Sequence, residues 1–143
     1  MGRLLAIDYG TKRTGIAVTD PLKIIATGLT TVPTHTLLSF LSDYFSREEV
    51  EYVIVGLPKQ MNNKPSESMK YIEPFVKKLK SNYPLLPVEY YDERFTSMIA
   101  QRSMIEGGLK KKDRQNKALI DEISATIILQ DYMDSASYKK KIR

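Results

Sequence analysis

The sequence predicts an α/β domain built on a five-stranded mixed sheet, three antiparallel strands followed by two parallel ones, flanked by helices. Three observations carry this. The stretch LLAIDYGTKRTGIAV near the start reads as an apolar strand, a Gly-Thr-basic turn and a second apolar strand. The run EYVIVGL at 51–57 is continuously apolar in its middle, as a strand covered on both faces should be. Between and after these runs, apolar residues recur at helical spacing, so strands give way to alternating helices and strands.

The first strand covers 3–9. Leu4, Leu5, Ala6 and Ile7 are apolar at both parities, so both faces should be buried. Gly10 permits a tight turn, and 14–19 returns as the second strand. Asp20-Pro21 then breaks the chain before a third strand at 24–32. Connections this short imply antiparallel neighbours. Pro33-Thr34 opens a helix with Leu37, Leu38, Leu41, Tyr44 and Phe45 on its inward stripe.

The strand at 51–57 is expected to run parallel to the first. After a polar loop at 59–65, Ser66 can cap a helix whose Met69, Ile72, Val76 and Leu79 keep the helical period. Glu73 and Lys77 form an i,i+4 pair on its wet face. Residues 87–91 make the fifth strand. Thr96 is a candidate N-cap for a helix reaching Glu106, with Gly107 suited to the C′ position. A basic linker at 110–117 leads into the last helix, at about 117–133, whose core side is read as Ile120, Ile123, Ile127 and Ile128. A right-handed βαβ crossover places the fourth and fifth strands on the far side of the first. The first strand is then central, and its C-terminal end faces the crevice where such sheets bind ligands.

At 143 residues the chain has the length of one domain, read as 1–134 with a basic, disordered tail at 135–143. Apolar content of 42% and charged content of 27% are those of a globular protein. The excess of 22 Lys and Arg over 17 Asp and Glu, +5, points only weakly to an anionic partner. Zero cysteines exclude a disulfide framework and any thiolate metal site. No apolar run approaches the ~18 residues that cross a bilayer, and the chain enters its first strand without signal-peptide anatomy. The expectation is a cytoplasmic protein with no membrane partner.

Asp8 is the residue this arrangement makes conspicuous. An ionised carboxylate within an apolar strand carries a desolvation cost unless a cation or hydrogen bonds meet it, or it stays protonated. Two further acidic positions converge on the same crevice: Glu93, or its neighbour Asp92, at the end of the fifth strand, and Asp121 in the first turns of the last helix. Asp121 shares a helix face with Ser124, Ala125 and Ile128, so it should face protein. Each acid has a plainer reading: Asp8 as a turn brace, Asp92 and Glu93 as a solvated turn paired with Arg94, Asp121 as a helix cap. Three converging carboxylates repel, and Mg²⁺ or Mn²⁺, one ion or two, resolves the repulsion because both favour oxygen ligands. Two such ions activate a water and stabilise the leaving oxygen in phosphodiester cleavage.

The blocks AIDYGTKRTGIAVTD, VIVGLPKQM, YYDERFTSMIA and LIDEISATIILQDY resemble, in order, the four blocks of the YqgF family. The resemblance runs from Leu4 to about Tyr132. It implies an RNase H-like fold, kinship with Holliday junction resolvases, and a part in maturing the 5′ end of precursor 16S ribosomal RNA. It assigns the metal-binding, catalytic acids to Asp8, Glu93 and Asp121. Two departures stand out. Related resolvases place an acid at the end of the fourth strand, where this chain has Gly56-Leu57-Pro58. They also tend to offer two acids on the last helix, where the neighbouring positions here are Ala118 and Ser124.

Lys12, Arg13 and Arg94 are candidates for backbone phosphates, as are Lys110, Lys111, Lys112, Arg114 and Lys117 in the linker. A charge run is as often only a solvated segment. Tyr9, Tyr90 and Tyr91 lie near the crevice, where rings stack on bases or pack in the core. His35 reads as a surface residue. The expected activity is a metal-dependent endonuclease on structured RNA or branched DNA, as a monomer or homodimer. Two rivals are a nucleic-acid-binding factor with little cleavage, and an actin-like or sugar-kinase phosphate loop at Asp-x-Gly-Thr. The second needs two such domains closing on ATP, and this length supplies one.

Overall fold

A computed structural model describes residues 2–57, 69–92 and 117–135. Within them the order is β1 (Arg3–Asp8), β2 (Arg13–Thr19), β3 (Ala26–Pro33), a 3₁₀ turn (Thr34–Thr36), α1 (Leu37–Arg47), β4 (Val50–Leu57), α2 (Met69–Asn82), β5 (Val88–Asp92) and α3 (Lys117–Met133). The strands form one sheet in the order β3-β2-β1-β4-β5. β1 is antiparallel to β2, and β2 to β3, while β4 runs parallel to β1 and β5 parallel to β4. The expected mixed sheet with a central first strand is what forms.

Period-two alternation divides the sheet into two faces. Leu5, Ile7, Ile16, Val18, Val53 and Val55 pack with Leu37 and Leu41 of α1 and with Ile72, Val76 and Leu79 of α2. Leu4, Ala6, Ala17 and Ile54 pack on the other face under Ala125, Ile128, Leu129 and Tyr132 of α3. The first face carries large side chains; the second is lined with alanines where α3 lies on β1 and β2. Small residues there let the helix axis approach the sheet closely.

Four local readings are corrected. Strand β3 begins at Ala26, not at 24, because the Asp20 carboxylate accepts the N–H groups of Ile24 (2.7 Å) and Ile25 (2.9 Å). Those groups close a turn instead of joining the ladder. Thr34 does not open an α-helix: its hydroxyl is engaged with the carbonyl of Gly10, and a 3₁₀ turn precedes α1. The buried ridge of α3 is Ala125, Ile128, Leu129 and Tyr132, spaced i, i+3, i+4, i+7, whereas Ile123 and Ile127 are only partly buried. An apolar helix has no single stripe to read: of the expected isoleucines Ile128 lies on the ridge, Ile123 and Ile127 do not, and the side chain of Ile120 lies outside the described residues. Tyr9 ends outside β1, with its ring on Phe75 of α2 at 5.3 Å between centroids.

The proposed cap at Ser66, the helix from Thr96 to Glu106, the linker and the tail beyond 135 lie outside the described residues.

Candidate metal centre

The site is built on the row of the sheet where Asp8 of β1 faces Gly15 of β2 across the antiparallel ladder. Leu4 and Ala6 face α3, so alternation puts Asp8 on that face too. On β2 the same parity gives Arg13, Gly15 and Ala17. A Cβ built on Gly15 would lie 2.1 Å from the carbonyl oxygen of Asp121 and 2.5 Å from its carbonyl carbon. The helix backbone therefore occupies the space that any side chain at position 15 would need. This contact brings the first described turns of α3, and with them Asp121, against the end of β1.

The turn between β1 and β2 is held as tightly. A Cβ on Gly10 would lie 2.3 Å from the carbonyl oxygen of Arg13. The Thr34 hydroxyl donates to the Gly10 carbonyl at 2.6 Å and lies 2.9 Å from the Thr14 hydroxyl; the Thr34 N–H donates to the Lys12 carbonyl at 3.0 Å. Thr34→Val would leave the Gly10 carbonyl and the buried Thr14 hydroxyl short of a partner. We expect a loss of about 1–3 kcal/mol in chemical denaturation, with Asp8 less well fixed.

Burial pushes the Asp8 carboxyl up to about 7, and the neighbouring charge of Asp121 adds to the rise. Asp121 is itself compensated: the Arg13 Nε donates to its Oδ2 at 2.9 Å. So, among the described residues, the guanidinium meets Asp121 and leaves Asp8 without a cation of its own. That is a deficit of positive charge in a set of hard oxygen donors, the chemistry that suits Mg²⁺ or Mn²⁺. Among the described residues no group of three or more His, Cys, Asp or Glu side chains is gathered for a metal. Two carboxylates are nonetheless a usual protein share for Mg²⁺, which takes water and substrate phosphate for the rest.

The other expected site residues fare unequally. Lys12 is exposed at the turn, beside the crevice. Arg13 is there too, but engaged with Asp121. Asp92 ends β5 and pairs in register with Leu57. Glu93, Arg94, Lys110, Lys111, Lys112 and Arg114 lie outside the described residues, and Lys117 is known only as the first residue of α3. The tyrosines are packing residues. Tyr90 joins the first core and Tyr91 the second, its ring edge-on to Tyr132 and its hydroxyl donating to Asp131 at 2.5 Å. His35 is exposed, as expected.

Sequence reading missed the Arg13–Asp121 pair and a polar cluster farther along α3. There the Tyr52 hydroxyl donates to Glu89 at 2.6 Å and the Tyr132 hydroxyl to the same carboxylate at 3.2 Å. With Tyr91 and Asp131, these bonds tie the C-terminal half of α3 to β4 and β5. The signal for the first was parity: Arg13 and Gly15 flank Asp8 on one face.

Comparison with known proteins decides the family. The profile described as "RuvX: Holliday junction resolvase" matches residues 2–135. The chain belongs to this family. A protein of Bacteroides thetaiotaomicron named "Putative pre-16S rRNA nuclease" is 67% identical over 138 residues, covering 96% of this chain and all of that one. A protein of the same name from Porphyromonas gingivalis is 64% identical over 135 residues, covering 94% of this chain and 98% of its own. Among solved structures, T. thermophilus RuvC in complex with a Holliday junction substrate superposes with a TM-score of 0.54 at 18% identity, covering 94% of this chain and 97% of that one. That likeness shows the fold, the RNase H-like one. RuvX membership makes the activity class that of a nuclease, since resolving a junction is phosphodiester hydrolysis. No described helix is long and apolar enough to cross a membrane.

Proposed function

We propose that this RuvX-family chain is a divalent-metal-dependent endonuclease that trims the 5′ end of precursor 16S ribosomal RNA in the cytoplasm. The observation that carries the reading is the pair of carboxylates, Asp8 and Asp121, brought together at the C-terminal end of the central strand, where Arg13 meets Asp121 and burial raises Asp8. Support for the substrate comes from the names of relatives at 64–67% identity.

Asp8 and Asp121, with Glu93 as the third acid, would hold one or two Mg²⁺ or Mn²⁺ ions. Tyr91 of β5 packs on the α3 side, and period-two alternation is the argument for Glu93 over Asp92. When bound, the metal supplies an activated water and charge stabilisation at the scissile phosphate. The chain's own residues supply placement. The Gly15 contact sets the separation of Asp8 from Asp121, and the Thr34 brace fixes the turn that carries Lys12 and Arg13. Lys12 and Arg13 would bind backbone phosphates on either side of the cut, with Arg94, Lys110, Lys111, Lys112, Arg114 and Lys117 extending the track.

Branched DNA is the second reading, favoured by the description of the family itself. Junction cleavage needs two sites acting together, so it goes with a homodimer, whereas RNA trimming is open to a monomer. The test is cleavage of a precursor 16S fragment and of a four-way DNA junction, by wild type and Asp121→Asn, with Mg²⁺, Mn²⁺ or EDTA. We expect metal-dependent RNA cleavage that Asp121→Asn abolishes. Cleavage undiminished in EDTA or in the variant would sink the mechanism. Salt-sensitive binding with no cleavage under any condition would make the chain a binding factor.

A further inference from the structure

We propose that Arg13 is a metal-gated phosphate ligand: it competes with a divalent ion for the Asp121 carboxylate, and metal binding there releases it to the nucleic acid. The inference rests on the metal-site reading above and deepens it.

Three features of the structure support it. The first is the contact. Arg13 Nε donates to Asp121 Oδ2 at 2.9 Å, placing a cation on a carboxylate that the metal reading needs. The second is access. The Arg13 side chain is 40% exposed and that of Asp121 is 22% exposed, so the pair lies at the lip of the crevice. A pair that open to water is only weakly held. The third is the frame. Thr34 pins both Gly10 and Lys12, so the backbone leading into Arg13 is fixed and release needs only a side-chain rotation.

The electrostatics then run in one direction. A divalent ion on Asp8 and Asp121 replaces the single guanidinium charge with a larger one and repels Arg13 from its place. The freed guanidinium stays within a side chain's length of the centre, where its planar fork suits a phosphate. Arg13 thus opposes metal binding in the free protein and supports nucleic-acid binding once the metal is in. Metal and nucleic acid become positively coupled through one side chain, and such coupling is reciprocal. The opposite role is equally definite: an Arg13 that merely orients Asp121 would favour the metal.

The test uses full-length protein with Arg13→Gln and Arg13→Lys. Mn²⁺ binding is read by calorimetry without nucleic acid. Affinity for a short single-stranded RNA is read by fluorescence anisotropy in EDTA and in Ca²⁺, the latter to limit cleavage. We expect Arg13→Gln to bind Mn²⁺ roughly 5-fold tighter or more, with Arg13→Lys nearer wild type because it keeps the charge. The gain in RNA affinity on adding metal should shrink markedly in Arg13→Gln. Mn²⁺ binding weakened or unchanged by Arg13→Gln overturns the gating and leaves the metal site standing. So does an undiminished metal-induced gain in RNA affinity. Wild type that binds no Mn²⁺ overturns the metal site and the gating with it.

Discussion

Asp8→Asn is expected to raise the melting temperature at neutral pH while reducing cleavage by roughly 100-fold or more. Loss of an outer partner of a metal ligand already costs about 10–100-fold, and a ligand should cost at least that. The stability gain follows from the carboxyl being held at about 7 when its ordinary value is 3.8. Below pH 4 the group is protonated in folded and unfolded chains alike and contributes nothing. As pH rises through 4 the unfolded chain loses the proton and the folded one keeps it, so unfolding becomes progressively easier. Above about 7 both are ionised and the penalty is constant. A rise of that size corresponds to about 4 kcal/mol as an upper bound, and the partial exposure of Asp8 brings the expected value to about 2. The stability gap between Asp8→Asn and wild type should therefore open between pH 4 and 7 and stay flat beyond. Mg²⁺ should stabilise wild type and leave Asp8→Asn almost unmoved, since a ligand that binds only the folded state stabilises it. A variant less stable than wild type at pH 7 would mean that Asp8 is satisfied by its surroundings and no strained carboxylate waits for a cation.

The features that sequence made legible are those set by parity and chain connectivity. Leu4, Leu5, Ala6 and Ile7 announced a strand buried on both sides, and short turns fixed β2 antiparallel to it and β3 antiparallel to β2; the order β3-β2-β1-β4-β5 followed. Asp8 stood out because a charge interrupts an otherwise apolar pattern. Asp121 was legible through Ala125 and Ile128, which share its face and are buried. What escaped reading depended on contacts between distant segments. Thr34 looked like a helix start, yet its hydroxyl serves a turn 24 residues earlier. Arg13 looked like a free phosphate ligand, yet it meets a carboxylate 108 residues away. Glu89 gave no sign of its two tyrosine donors, because Tyr52 and Tyr132 come from two other elements. Local pattern encodes which face a residue takes; it does not encode which residue stands opposite.

Gly15→Ala should damage the site more than its single methyl suggests. The added Cβ would meet backbone atoms of Asp121 at 2.1 and 2.5 Å, and backbone within a helix cannot rotate aside. Either α3 moves outward or β2 shifts along the ladder, and both separate Asp121 from Asp8. Overpacking of this kind costs about 1–3 kcal/mol, occasionally more, and the displacement should weaken Mn²⁺ binding as well. Gly28→Ala is the matched control. It also lies beneath α3, but its Cβ would meet the Thr126 hydroxyl oxygen at 3.2 Å, a side-chain atom that can give by a few tenths of an ångström. We expect Gly28→Ala to stay within about 1 kcal/mol of wild type with metal binding intact. The pair separates general loosening of α3 from loss of the approach that builds the centre. If both substitutions lowered Mn²⁺ affinity equally, the close packing at Gly15 would be a matter of fold stability alone. If only Gly15→Ala did, the glycine is what brings the helix carboxylate to the strand carboxylate, and so makes a metal centre from two acids far apart in the chain.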